Sequence, residues 1–142
     1  MENNTQAITV TCTVNEPVSK VWDCWTLPQH ITGWCNASPD WHTPRAENDL
    51  QVGGKFLTRM EAKDGSFGFD FSGTYTQVIS NSLIAYTLDD DRKVSITFTE
   101  NGTTTHVSET FDPENQNPAE MQRFGWQAIL DNFKAYTEAL QA

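Results

Sequence analysis

Basic residues are scarce in this 142-residue sequence, in which 9 Lys and Arg stand against 19 Asp and Glu for a formal net charge of −10. Tight binding to nucleic acid uses roughly 6–10 cations that converge on phosphates. Nearly every basic residue would have to share one face to reach that number, against the negative field of the others. We therefore expect no nucleic-acid partner and no attraction to an anionic membrane surface.

Long apolar runs are also missing, since no stretch approaches the roughly 20 apolar residues of a membrane span. The opening MENNTQAITV has neither the basic start nor the apolar segment of a signal peptide. The three cysteines form no CxxC pair, and neither they nor the three histidines show the spacing of metal ligands. The sequence predicts a cytoplasmic protein with no membrane insertion, no metal and no cofactor.

The segment DLQVGGKFLTRM, residues 49–60, lacks the context of a phosphate-binding loop although it contains Gly53, Gly54 and Lys55. Such a loop lies between a buried strand and a helix N-terminus, with Ser or Thr after the lysine. Here Phe56 follows the lysine, and the alternating pattern that comes next is that of a strand. The glycine pair is therefore interpreted as a bend at the entry to a strand.

Apolar periodicity predicts the order of elements along the chain. Residues 8–14 alternate as a half-buried strand, and Asn15 as N-cap with Pro17 as first residue begins a short amphipathic helix. A second short helix is predicted over residues 28–34. Strands are predicted over residues 43–47, 55–62, 67–79, 83–88, 93–99 and 104–111, with tight turns at Asp64–Gly65 and Asn101–Gly102. A long helix with Asn117 as its N-cap follows.

This order predicts an α+β fold in which a curved antiparallel sheet of about seven strands wraps around the long C-terminal helix, with two short helices after the first strand. One domain is predicted over residues 1–142. The sequence contains 8 Phe, 5 Trp and 3 Tyr, and this abundance of rings suggests an aromatic-lined interior.

Three segments together resemble the family named after the activator of the heat-shock-protein-90 ATPase, in the START-like, helix-grip superfamily. They are VWDCWTLPQHITGW at residues 21–34, NDLQVGGKF at 48–56 with FSGTYTQV at 71–78, and GWQAILDNFKAYTEAL at 125–140. The resemblance implies a largely apolar cavity between the sheet and the C-terminal helix. Members of the superfamily carry small hydrophobic molecules there, and a few perform cyclase or aromatase chemistry.

The residues expected to bind a ligand are mainly aromatic side chains predicted to face this cavity, with Trp34 and Trp41 at its mouth. The full set is Trp34, Trp41, Phe56, Phe69, Phe71, Tyr75, Tyr86, Phe98, Glu109, Phe111, Trp126, Ile129 and Phe133. For each aromatic residue the alternative is that it only fills the core.

Glu109 is the one acidic residue in this set, because it shares a strand face with Val107 and Phe111. Buried in an apolar cavity, its carboxyl would have a raised pKa and could orient a polar group of a ligand. A β-bulge in this strand would instead return the side chain to solvent. His30, His42, His106 and Asp70 are expected to be ordinary polar residues, and Cys35 is the candidate reactive thiol if it is exposed.

Three functions remain open at this point. The first is non-enzymatic binding of a small apolar or aromatic molecule under the C-terminal helix. The second is a protein-interaction module acting on a chaperone or another partner, although no segment of this sequence corresponds to the additional N-terminal region of the namesake. The third is a cyclase- or hydratase-type enzyme, which requires a strongly perturbed titratable residue in the cavity.

Overall fold

The computed structural model describes residues 6–36 and 38–140, arranged as one seven-stranded antiparallel sheet and three helices. The predicted domain of residues 1–142 and the N-terminal segment examined for a signal peptide both include positions outside these ranges. The elements are β1 (Ile8–Val14), α1 (Val18–Thr26), α2 (Pro28–Trp34), β2 (Trp41–Asn48), β3 (Lys55–Ala62), β4 (Gly68–Ile79), β5 (Leu83–Leu88), β6 (Lys93–Asn101), β7 (Thr104–Phe111) and α3 (Ala119–Ala139).

The strand order in the sheet is β1-β7-β6-β5-β4-β3-β2, so β1 and β2 form its two edges. From β2 to β7, each strand pairs with the next one along the chain. Strand β1 pairs with β7, so the two short helices and five strands separate these partners in the sequence. This arrangement, with the sheet curled around α3, confirms the predicted α+β architecture and its element order.

Apolar alternation decides which face of each strand points inward. In β7, Thr105, Val107, Glu109 and Phe111 are buried, whereas His106 is exposed. The register of β7 with both β1 and β6 is continuous, without a bulge. Glu109 therefore keeps the inward phase predicted from its neighbours, and the alternative of a bulge that returns it to solvent is wrong.

The Gly53–Gly54 bend lies between β2 and β3, immediately before the first residue of β3. Gly53 has a φ of 85°, and a Cβ at Gly54 would collide with the backbone oxygen and the carboxylate of Asp49. The backbone amide of Gly53 donates to the oxygen of Tyr75, and the amide of Tyr75 donates to the oxygen of Gly54. The bend thus confirms the predicted strand entry, and it also fixes Tyr75 beside the register shift of β4.

Two predicted helix N-caps are wrong. Pro17 and Pro118 occupy the N-cap positions of α1 and α3, and neither Asn15 nor Asn117 caps a helix with its side chain. At α3 the side chain of Gln122 donates instead to the backbone oxygens of Glu114 and Asn117. This contact folds the preceding loop onto the first turn of the helix.

Helix α3 packs mainly on β1 and on the two short helices, which places it over one half of the concave face. The indole of Trp126 stacks on the ring of Phe111 with a centroid distance of 3.8 Å and an interplanar angle of 8°. About two turns later, Phe133 lies edge-on to Trp25 and Trp34, at centroid distances of 4.8 and 4.9 Å. These contacts hold the helix over the half of the sheet that ends with β1.

Turn chemistry explains the hairpins. Gly65 and Gly102 have φ values of 78° and 70°, as predicted for the Asp64–Gly65 and Asn101–Gly102 turns.

Strand bounds differ from prediction by one or two residues at β2, β4 and β6, where the strand ends extend or shorten. Among the described helices, none is long and apolar enough to cross a membrane.

Gly54→Ala is predicted to lower the free energy of unfolding by about 1–3 kcal/mol, because the added methyl group meets backbone rather than a flexible side chain. Urea-induced unfolding followed by tryptophan fluorescence measures the change. Gly125→Ala is the matched control, since a Cβ at that helical position has no neighbour within 4 Å. It should raise the stability by about 0.5–1 kcal/mol through helix propensity. Equal effects of the two substitutions would contradict this account of the bend.

Candidate functional site

A cavity of about 290 Å³ lies between the inner faces of β3, β4 and β5, the first half of α3, and the short helices. This volume corresponds to about ten water molecules in the liquid. Its walls are formed by Trp25, Ile31, Trp34, Cys35, Phe56, Thr58, Met60, Phe69, Phe71, Tyr75, Ile84, Tyr86, Arg92, Glu109, Glu114, Gln122, Trp126 and Ile129. Aromatic and aliphatic side chains dominate, as is usual for small-molecule sites.

Glu109 places a carboxyl group in the wall of this cavity. Its side chain is 6% exposed, and its register neighbours on either side are the buried aliphatic residues Val10 and Ile96. No side-chain or backbone group of residues 6–36 and 38–140 pairs with this carboxyl, whose oxygens open into the cavity. Burial disfavours the charged form and raises the pKa of Glu109 to about 8. At neutral pH this carboxyl is therefore largely protonated.

The other titratable groups deep in the cavity are also acids. Burial raises the pKa of the Cys35 thiol to about 12, and the nearby carboxyl of Glu109 adds to this shift. Burial and, after it, Glu109 raise the pKa of the Tyr86 hydroxyl well above its ordinary value. The pKa of Tyr75 is also raised by burial, although its hydroxyl donates to Asn48. No group in this part of the wall carries a positive charge.

Polar side chains at the rim are held by partners of their own. The Nε of Arg92 donates to the carboxylate of Asp90 at 2.8 Å. The amide oxygen of Gln122 accepts from the backbone of Glu114, and its nitrogen donates to Glu114 and Asn117. The carboxylate of Glu114 accepts hydrogen bonds from the Gln116 and Asn117 amides. The rim is therefore polar but largely self-satisfied, in contrast to Glu109.

A group of exposed rings lies at another side of the cavity. Trp41 contacts Phe67 and Phe69 with centroid distances of 5.9 and 6.0 Å. Phe67 and Phe69 are 62% and 41% exposed. A second pocket of about 220 Å³ adjoins the cavity here and shares Met60, Phe69 and other wall residues with it.

Nine of the thirteen residues predicted to bind a ligand line the cavity, and four do not. The nine are Trp34, Phe56, Phe69, Phe71, Tyr75, Tyr86, Glu109, Trp126 and Ile129. Phe98, Phe111 and Phe133 are buried in the core, where they pack against tryptophans of α1, α2 and α3. Trp41 lines only the adjoining pocket. Trp34 is 5% exposed and donates from Nε1 to the Cys24 oxygen, so its predicted place at the mouth is wrong.

Nine wall residues were not predicted. They are Trp25, Ile31, Cys35, Thr58, Met60, Ile84, Arg92, Glu114 and Gln122. Strand phase would have identified several, because Thr58 and Met60 share the inward face of β3 with Phe56, and Ile84 shares that of β5 with Tyr86. Gln122 lies one helical turn before Trp126 and could have been found in the same way.

The remaining candidate residues behave mostly as ordinary polar groups. His106 and His42 are exposed, and His30 Nδ1 lies 2.8 Å from the hydroxyl of Tyr136. Asp70 faces solvent and pairs with Arg59 at 3.2 Å. The condition for a reactive Cys35 fails, since this side chain is 8% exposed and its thiol pKa is raised. Within the described ranges, no cluster of three His, Cys, Asp or Glu side chains is placed to hold a metal ion.

The raised pKa of Glu109 predicts a stability that falls with pH. Folded Glu109 keeps its proton up to about pH 8, whereas in the unfolded chain the carboxyl loses it near its ordinary pKa of 4.5. Between these values the folded state holds more protons, so the free energy of unfolding decreases as pH rises. At about 1.4 kcal/mol per unit of pKa difference, the full loss is several kcal/mol. We expect Glu109→Gln, which cannot ionise, to become more stable than the wild type across this window.

Urea-induced unfolding of both proteins at several pH values from mildly acidic to mildly alkaline measures this difference. Glu100→Gln removes one negative charge from an exposed position of β6 and is the charge-matched control. Parallel stability curves for the wild type and Glu109→Gln would show that the carboxyl titrates normally in the folded protein.

Comparison with known proteins agrees with this architecture. The family model for Activator of Hsp90 ATPase homolog 1-like protein matches residues 15–138. The solution NMR structure of an AHSA1-like protein from Aeromonas hydrophila is 43% identical, with a TM-score of 0.89 over 94% of this chain and 93% of that one. A solution structure from Cytophaga hutchinsonii is 57% identical, with a TM-score of 0.82 over 96% and 93%.

A crystal structure from Chromobacterium violaceum has a TM-score of 0.84 at 22% identity, covering 95% of this chain and 99% of that one, and shows the likeness of fold alone. A search of curated protein sequences gave no significant match. The family model spans most of the chain, and the sheet that curls around α3 is the helix-grip arrangement of START-like domains. The chain belongs to the family of Activator of Hsp90 ATPase homolog 1-like proteins.

Proposed function

We propose that this protein binds a small apolar or aromatic molecule in the cavity between its sheet and α3. The observation that carries the proposal is an aromatic-walled space of about 290 Å³ into which one buried, unpartnered carboxyl projects. Apolar walls supply affinity, and a few placed polar groups fix orientation. Densely packed interiors contain few voids of this size unless something occupies them.

The packing of the walls supports a site that exists before the ligand arrives. Phe56 contacts Tyr86 and Tyr75 with centroid distances of 4.6 and 5.4 Å, which braces the rings of three strands against one another. Phe71 meets Trp126 of α3 at 6.0 Å, so the sheet and the helix touch at the edge of the cavity. A preformed site avoids the entropic cost of ordering side chains on binding.

Acid–base catalysis at Glu109 is the second candidate function, and the raised pKa of that residue favours it. A carboxyl that titrates near neutral pH can give or take a proton at physiological pH, as cyclase- or hydratase-type chemistry requires. This candidate predicts chemical change in a bound compound. NMR spectra of the compounds after incubation would establish it if they show a new product with the wild type and none with Glu109→Gln.

A protein partner is a further candidate, supported by the exposed rings of Phe67 and Phe69 beside Trp41. The family name refers to activation of a chaperone ATPase. If this chain acts in that way through these rings, Phe67→Ser with Phe69→Ser would abolish stimulation of the chaperone ATPase. The cavity variants described next would leave that stimulation unchanged.

The cavity proposal is tested by filling the space. Thr58 is 5% exposed in the β3 wall, and Thr58→Phe would place a phenyl ring inside the cavity. Neutral one- and two-ring aromatic compounds, indole among them, should raise the melting temperature of the wild type but not of this variant. A ligand at 100 times its Kd adds about 2.7 kcal/mol, which corresponds to a shift of about 5–10 °C for a domain of this size.

Thr97→Phe is the matched control, because Thr97 is exposed on the outer face of β6. It should respond to the compounds as the wild type does. Ile84→Phe fills the cavity from β5 and serves if Thr58→Phe does not fold, which circular dichroism and the unliganded melting temperature reveal. Equal thermal shifts in the filled and control variants would refute binding in the cavity.

A further inference from the structure

We propose that the molecule bound in the cavity is a small aromatic amine that enters as a cation and pairs its ammonium group with the carboxyl of Glu109. This inference rests on the proposed binding function and specifies its ligand class. It stands on the position of Glu109, the sign of the other groups around it, and the aromatic walls.

The first step is the unsatisfied hydrogen-bonding capacity of Glu109. A buried carboxyl without partners is costly, and nearly all buried polar groups in proteins find one. Val10 and Ile96 flank Glu109 across β1 and β6, and neither side chain can donate a hydrogen bond. Thr58 and Tyr86 contribute hydroxyl groups to the same cavity, and neither bonds to Glu109. A ligand in the cavity can supply the donor that this carboxyl lacks within the described residues.

The second step is the charge of the groups that surround Glu109. Tyr75 of β4, Tyr86 of β5 and Cys35 after α2 are acids that stay neutral at physiological pH. The walls contributed by β3, α1, α2 and α3 carry no titratable group. Their residues are Phe56, Thr58, Met60, Trp25, Ile31, Trp34, Gln122, Trp126 and Ile129.

The nearest charged side chains lie at the margins and have partners. Arg92 and Glu114 stand at the rim, where Arg92 binds Asp90. On the β1 side, the thiol of Cys12 shares the inward face with Val10, and the α3 charges beside it are Asp131 and Lys134. Lys134 donates to the Thr13 oxygen and to Glu138. A carboxylate or phosphate ligand beside Glu109 would meet Arg92 as the one cation among the described wall residues, and that side chain is already paired with Asp90.

The third step is the favourable field for a cation. The rings of Trp126, Tyr86 and Phe71 line the space, and an ammonium group that lies over the face of a ring is attracted to it. The net charge of −10 adds a long-range attraction that raises the association rate of cations over anions. A space of about ten water volumes accommodates a compound of one or two rings with a short side chain.

The proposal fixes the proton balance of binding. Below about pH 8 the free protein carries a protonated Glu109, and the amine in solution carries its own proton. The complex holds one proton between carboxyl and nitrogen, so one proton leaves to solvent for each molecule bound. The observed affinity for the amine should then rise about tenfold per pH unit until the pKa of Glu109 is reached.

Three probes of similar shape separate the ligand classes: 2-phenylethylamine, 2-phenylethanol and 3-phenylpropanoate. Isothermal titration calorimetry at neutral pH, in two buffers of different ionisation enthalpy, gives both the affinity and the number of protons released. We expect the amine to bind at least tenfold more tightly than the alcohol, the carboxylate to bind weakest, and about one proton to leave with the amine alone.

Glu109→Gln should lose the preference for the amine, the proton release and the pH dependence, while still binding 2-phenylethanol. Glu100→Gln, which makes the same change in net charge at an exposed position, should behave as the wild type. If Glu109→Gln does not fold, the proton count and pH dependence of the wild type decide the question.

Equal affinity for the amine and the alcohol, or tighter binding of the carboxylate, would overturn the amine assignment and leave the binding function standing. Failure of all three probes, together with no thermal shift from the neutral aromatic compounds, would overturn both.

Discussion

The position of α3 on the sheet is the constraint from which the rest of the structure follows. The Trp126–Phe111 stack and the packing of Phe133 between Trp25 and Trp34 fix the helix over β1 and the short helices. A helix centred on the sheet would bury Phe56, Phe71 and Tyr86 directly. Because it is displaced toward one edge, these rings face an open space instead. The aromatic contacts that stabilise one half of the interior therefore create the cavity in the other half.

Glu109 is the position at which stability and site geometry conflict. An aliphatic residue here would pack between Val10 and Ile96 at no electrostatic cost, as Val107 packs between Cys12 and Phe98 on the same strand face. The carboxyl instead pays for desolvation, and its raised pKa is the direct expression of that cost. A residue that breaks a packing rule within an otherwise consistent fold is expected at functional positions.

The fold could be predicted from the sequence because each element depends on a local signal. The alternation of apolar residues identified the strands, and glycine dipeptides identified the turns. The phase of this alternation in β7 assigned Glu109 to the inward face of the sheet. The predicted N-cap of α3 failed because the side chain of Asn117 donates to Glu114 in the preceding loop, a contact that the sequence pattern does not show. The prediction of which aromatic rings line the cavity was partly wrong for a similar reason. Periodicity shows that Phe71 and Phe111 both point inward, but only the displacement of α3 decides that Phe71 meets the cavity and Phe111 the helix.

The unpaired carboxyl of Glu109 affects both the stability of the protein and the charge of the ligand that we propose. A protonated Glu109 carries no charge, so the domain can fold with this side chain buried. The same group gains most from a ligand that supplies both a donor and a positive charge, since such a ligand relieves the desolvation cost already present. An apolar ligand would fill the space but leave that cost in place. In the proposed complex the aromatic walls would limit the size of the ligand, and the buried carboxyl would favour a ligand of positive charge.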